Sequence, residues 1–192
     1  MKGYVYITGN GADPARDGGL KDPILSAPVP TLGACMPHIR HRVQIGDWIF
    51  VVSGKAHGVQ QYVVGGLQVQ EKITALAAYK RFPENRLRKD KDGRLVGNII
   101  VRPDGSQHPL DTHPERSFSN RIEDYIVGAK GIAVGTPSAV DLSRTETLGA
   151  LGRMFGRPGA NRVVDVLGRG GRGLNEEQVE AMLRWLNRIA AG

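Results

Sequence analysis

The residues best equipped for chemistry gather between Cys35 and Gly54. The stretch brings together one thiol, the imidazoles of His38 and His41 and the guanidinium groups of Arg40 and Arg42. After Gly46-Asp47 it continues as Trp-Ile-Phe-Val-Val into Ser53-Gly54. A thiol becomes a nucleophile only where a base or a positive environment deprotonates it, and Cys35 has two histidines close by in sequence. A lone cysteine is more often a small buried apolar side chain, so no catalytic residue is assigned. His38, His41, His108 and His113, with Asp111, are metal-ligand types. Their spacing matches no metal-binding signature, and neither a metal nor another cofactor is expected. Gly168-Arg-Gly-Gly-Arg-Gly173 offers backbone N–H groups that could cradle a phosphate. It lacks the lysine and hydroxyl of a P-loop and reads as a flexible linker between helices.

The chain carries a formal charge of +7, and 18 of its 26 basic residues are arginine. The arginine fork pairs bidentately with phosphate and stacks on bases, so this balance favours a nucleic acid or another polyanion as partner. Arg- and Gly-rich coding is the plainer account of the same excess. Residues 80–102 hold eight basic against three acidic groups, beside Tyr79 and Phe82, which suits either a phosphate backbone or a solvated face. A single cysteine excludes an internal disulfide. The opening Met-Lys-Gly-Tyr-Val-Tyr-Ile-Thr lacks the apolar core of a signal peptide, and no apolar run reaches the roughly 20 residues of a membrane span. A cytoplasmic protein with no membrane partner is expected.

The elements that must position these groups are mostly strands. Tyr4 to Ile7 alternates aromatic and β-branched residues. Residues 9–30 are too dense in Gly, Pro and Asp for regular structure. Pro37 biases Met36 toward an extended conformation. The run Trp48 to Val52 is apolar without alternation, as in a central strand covered on both faces. Tyr62 to Glu71 is a strand with a bulge or corner at Gly65-Gly66. Ile73 to Phe82 reads helical, Val96 to Arg102 and Tyr125 to Val134 extended. Beyond Gly135 the pattern turns helical: a modest helix from Thr145 to Phe155, a short piece from Asn161 to Leu167, and a last helix capped by Asn175 with Gln178. The last helix carries an apolar stripe of Val179, Met182, Leu183, Leu186 and Ile189 that must bury against the sheet or a partner subunit. One domain over residues 1–135 and a helical extension over 136–192 are expected.

Thr31-Leu-Gly-Ala-Cys-Met-Pro-His-Ile-Arg40, then Gly46-Asp-Trp-Ile and Ser53-Gly54, resembles the nucleotide-modification-associated domains of the PUA/ASCH/EVE-like superfamily. The family pattern has lysine where this chain has Met36. The resemblance extends through Tyr79, Phe82, Gly97-Asn-Ile-Ile100 and Asp124-Tyr-Ile126. It implies an α+β fold built on a small curved β-barrel with short helices, to which the C-terminal helical part is added. It also implies a pocket for a modified nucleobase or nucleotide in nucleic acid. Such a pocket needs walls and edge-reading groups, for which Trp48, Ser53, Asn98 and Asn120 are the candidates, and positive charge for flanking phosphates, for which Arg40, Lys55, Arg81 and Arg116 are the candidates. Two rival readings are kept. One is an ASCH-like amidohydrolase acting through Thr31, Lys55 and Glu71. The other is a structural protein that self-associates through its last helix.

Overall fold

The structure, a computed structural model, describes residues 1–9, 11 and 13–192. In chain order the elements are β1 (Gly3–Ile7), α1 (Pro14–Asp17), β2 (Thr31–Leu32), α2 (Pro37–Arg42), β3 (Trp48–Val52), β4 (Val63–Ile73) and α3 (Ala75–Arg81). There follow β5 (Arg88–Lys89), β6 (Leu95–Val96), α4 (Phe118–Ile122), β7 (Tyr125–Ala133), α5 (Pro137–Met154), α6 (Val163–Leu167), β8 (Arg172–Leu174) and α7 (Glu176–Ala191). Six strands pair in the order β2-β7-β4-β3-β1-β8, while β5 and β6 form a separate two-stranded ladder. β1 is parallel to β3; the β3–β4, β1–β8 and β2–β7 pairs are antiparallel.

The sheet is open, with β2 and β8 at its edges, so the expected barrel is corrected to a mixed α+β fold without closure. One reason lies in residues 96–102. Only Leu95–Val96 form a strand there, and Ile99 and Val101 make isolated bridges. Gly97 takes a positive φ of 88°, and a Cβ there would meet the Asn85 carbonyl oxygen at 2.7 Å, so the chain turns where a strand was expected to continue.

Two compact units interleave along the chain. Met1–Gly19, Gly46–Gln68 and Gly131–Gly192 form the first, and Leu20–Ile45 and Val69–Lys130 the second. Residues 136–192 thus fall in the same unit as β1 and β3. In this first unit β3 lies between β1 and β4, and each of its side chains is buried, so both of its faces are covered. Trp48 and Phe50 stack at 5.7 Å. Opposite them the register of β4 shifts between Val51 and Val52, the irregularity that Gly65-Gly66 announced. A Cβ on Gly66 would lie 2.7 Å from the Phe50 ring. At the shift, α5 replaces missing ladder bonds with side chains: Ser143 Oγ donates to the Val63 carbonyl (3.0 Å), and Thr147 Oγ1 accepts from the Val63 N–H (2.9 Å).

α5 begins at Pro137, capped by Thr136, and runs eight residues earlier than the sequence pattern indicated. The glycine run is not wholly a linker, since Arg172–Leu174 pairs with β1 as an edge strand. α7 has the expected capping box and buries Val179, Met182, Leu186 and Ile189, each burial contributing roughly 1.5–3 kcal/mol. Gly3 makes room for this face, for a Cβ there would lie 2.6 Å from Val179.

In the second unit, Ala75, Ala78 and Phe82 at α3 pack with Ile99, Val101, Tyr125 and Val127, while Ala34, Leu87 and Ile100 form a smaller cluster. α2 was not expected; Pro37 supplies its first turn. Met36 is left-handed (φ 50°, ψ 54°), not extended, and its carbonyl accepts from the N–H groups of Ile39 and Arg40.

Candidate functional site

The signature residues of the second unit form an internal polar frame. Asp22 is buried, and its carboxylate accepts from the N–H groups of Gly33 (2.8 Å), Ala34 (2.9 Å) and Cys35 (2.6 Å) and from Asn98 Nδ2 (3.0 Å). Asn98 Nδ2 also donates to Thr31 Oγ1 at 3.0 Å, and Asn98 Oδ1 accepts from the Tyr125 hydroxyl at 2.8 Å. Asn85 donates to Thr31 Oγ1 and to the Tyr125 hydroxyl. A side chain on Gly33 would collide with the Asn98 backbone, which explains glycine in the signature. Burial above all raises the Tyr125 phenol far above its ordinary range.

Arg40 closes the frame from the other side of the same loop. It is fully buried and donates to the carbonyls of Cys35 (2.8 Å), Ala34 (3.2 Å), Arg121 (3.1 Å) and Asp124. Its guanidinium is therefore engaged inside the protein, and no face of it meets a flanking phosphate. Cys35 is partly buried; burial, then the Asp22 carboxylate, pushes its thiol well above the usual range, which leaves a poor nucleophile.

The other sequence candidates divide by unit. In the second, Asn98 has its amide engaged as described. Asn120 and Arg116 are exposed, and Arg81 bonds Glu71 at 2.5 Å. In the first, Trp48 is buried against Phe50, and buried Ser53 accepts from the Tyr62 N–H at 3.0 Å. Lys55 is exposed. Of the enzymatic set, Thr31 is fully buried with its hydroxyl taken by Asn85 and Asn98, and Glu71 faces Arg81. Two of the histidines pair with carboxylates, His41 with Asp124 and His113 with Asp111, while His108 Nδ1 accepts from the Leu110 N–H. Among the described residues no group of three or more His, Cys, Asp or Glu could hold a metal ion.

Beyond the carboxyl ends of the parallel strands β1 and β3, the first unit opens into a cleft of about 1020 Å³. Loops at this edge of a parallel pair are a common place for ligand sites, because both strand ends release the chain there. The floor comes from Ile7 to Gly9 and from the loop of Lys55 to Gln61. These loops are tied together: Gly54 N–H donates to Thr8 Oγ1 (3.0 Å) and Gly11 N–H to the Lys55 carbonyl (2.9 Å). One wall is the face of α5 bearing Arg144, Thr145, Leu148 and Gly149, at the helical spacing i, i+1, i+4, i+5. The other is the segment 158–164 with Arg169. That segment is locked to α5 by the Arg157 N–H on the Gly152 carbonyl (2.6 Å), and a Cβ on Gly152 would lie 2.8 Å from the Arg157 carbonyl oxygen.

The cleft lining carries Lys55, Arg144, Arg162 and Arg169 and, among the described residues, no carboxylate. Arg144 is held by Asp13 (2.5 Å), lies 3.6 Å from exposed Asp141, and sits over the Tyr62 ring at 5.4 Å. Burial, then Asp13, raises the Tyr62 phenol to about 12. Arg162 pairs with Asp165 at 2.7 and 3.0 Å. Of the candidates named from sequence, Lys55 alone lines this cleft. Arg144 and the neighbouring pair Asn161-Arg162 were missed because they lie far apart in sequence and match no motif. Arg169 was visible only as part of the glycine run.

Residues 17–111 match the family model described as nucleotide modification associated domain 2. Over those residues, just under half of its length, the chain is similar to that family. No curated protein and no solved structure matches the chain. The match spans Asp22, Thr31, Asn85 and Asn98 of the frame, Arg40, β3 and Lys55 to Gln61, while Tyr125 and, in the cleft, Ile7 to Gly9, the α5 wall and residues 158–169 lie outside it. Among the described residues no helix is long and apolar enough to cross a membrane.

Proposed function

We propose that this chain is a binding module for a nucleotide in nucleic acid, the base of which carries a modification, and that the cleft of the first unit is where the nucleotide is held. The observation that carries the reading is the cationic cleft, with no carboxylate among its described lining residues, in a chain similar to this family. Anionic ligands gain from such a concave cluster because its field is focused by low-dielectric walls. The PUA/ASCH/EVE-like placement rests on the signature residues, whose role here is to build the frame that holds the loop after β2.

Anisotropy titrations at low salt with matched oligonucleotides, one unmodified and the others carrying single methylated or hydroxymethylated bases, test this reading. A preference of about tenfold or more for one modified strand is expected. Equal binding to every strand removes the modification from the proposal, and absence of binding to any of them removes the function.

A further inference from the structure

The cleft separates the two things a nucleotide site must do. Phosphate asks for cations and N–H or O–H donors, and the lining supplies four cations together with the side-chain amides of Asn161 and Gln60, while the hydroxyls of Thr8 and Thr145 donate to the Gly9 and Asp141 carbonyls. A base without hydrogen-bond readout asks for an aromatic platform, and among the described lining residues there is none. The uncharged walls are aliphatic, chiefly Val59, Leu148 and Val163. They exclude water but have no means of telling one base edge from another.

We propose that this cleft is a phosphate-directed site, taking a nucleoside phosphate either free or as one unit of a single strand, with little regard to which of the four unmodified bases it carries. The proposal rests on the nucleotide-binding reading above and adds where the affinity comes from. A space of about 1020 Å³ is roughly 10 Å across, the size of sites that enclose small ligands, and a duplex whose major groove alone is about 12 Å wide does not enter it.

Its cations differ in mobility. Arg144 is fixed between Asp13 and the Tyr62 ring, with a side chain 19% exposed, so it loses little freedom when it meets an anion. Its buried Nε has no hydrogen-bond partner among the described residues. Arg162 is oriented by Asp165, while Lys55 and Arg169 are exposed. Three of the four cations lie beyond residue 111, so the phosphate contacts come chiefly from outside the family-matched segment.

Calorimetric titration of the full chain at low salt, with the four nucleoside 5′-monophosphates, their parent nucleosides and inorganic phosphate, tests the assignment. The monophosphates are expected to bind within about threefold of one another and the nucleosides at least about tenfold more weakly. Lys55→Glu and Arg169→Glu, both at exposed positions, are each expected to weaken monophosphate binding about tenfold with unchanged melting temperature. Nucleosides binding as tightly as monophosphates, or a double variant binding like the parent, overturns the assignment. A single strand that still binds the double variant as it binds the parent sinks the cleft and spares the nucleic-acid reading. Loss of both ligands in the double variant, with no modified strand preferred by the parent, keeps the cleft and removes base recognition. Competition between a monophosphate and a single strand separates a shared site from two sources of phosphate: displacement is expected, and independent binding overturns the single-strand arm.

Discussion

Arg40 donates to the carbonyls of four residues, and its side chain has no access to solvent. Removing it leaves buried carbonyls unpaired, each at a cost of about 1–3 kcal/mol. Arg40→Met is therefore expected to lower stability by about 3–5 kcal/mol, read from the denaturant midpoint. Arg40→Lys is expected to restore little, since one ammonium cannot reach carbonyls spread around a planar fork. A midpoint unchanged in Arg40→Met would show that the loop does not depend on it. Cys35 lies in the same loop with its thiol held protonated by burial and by Asp22. Alkylation of the native protein at pH 8 is expected to run at least about tenfold more slowly than in denaturant, and equal rates would contradict the geometry. At this scale the signature was readable as a motif but not as a role. Arginine and asparagine look alike in sequence whether they face a ligand or brace a loop, and only the partners of Arg40 and Asn98 distinguish the two.

At the level of elements, Tyr62 at the start of β4 and Tyr125 at the start of β7 are buried phenols with raised pKa values, Tyr62 to about 12. A phenol in the unfolded chain ionises near about 10. Above that pH the unfolded chain loses a proton that the folded chain keeps, so stability falls with rising pH. The contribution of Tyr62 is fully present below about pH 10 and lost by about pH 12. Circular dichroism through this window is expected to show alkaline destabilisation, and Tyr62→Phe is expected to reduce it; an identical alkaline profile in Tyr62→Phe would count against the shift. The α7 cap allows a separate check, since Asn175→Ala is expected to cost about 1 kcal/mol by thermal melting. β3 and α7 were legible because each carries one undiluted signal, five consecutive apolar residues in one and a capping box with a 3.6-residue stripe in the other. The first turns of α5 were not, because the buried face there includes Ser143, which bonds Val63 at β4 and breaks the hydrophobic period. β8 is three residues long, overlaps the end of the glycine run and has no pattern of its own. It is a strand because β1 offers an edge. The failure to read α5 also hid Arg144, whose place in the cleft depends on that helix.

For the whole molecule, composition pointed to a polyanion and the family match points to nucleotide modification, but neither locates a site. The structure gathers Lys55 from the family-matched segment and Arg144, Arg162 and Arg169 from beyond it into one cleft of the first unit. If a single strand is held there by two to four phosphate contacts, its affinity falls with salt at a log–log slope of about −1.4 to −2.8. The most direct test of the account is that slope, measured by anisotropy with one labelled single strand on the parent and on the Lys55→Glu/Arg169→Glu variant. The parent is expected to fall within the range given, and the variant to bind more weakly with a slope shallower by about 1.4. Binding that ignores salt, or a variant with the parent's affinity and slope, would contradict the placement of the nucleic-acid site in the cleft.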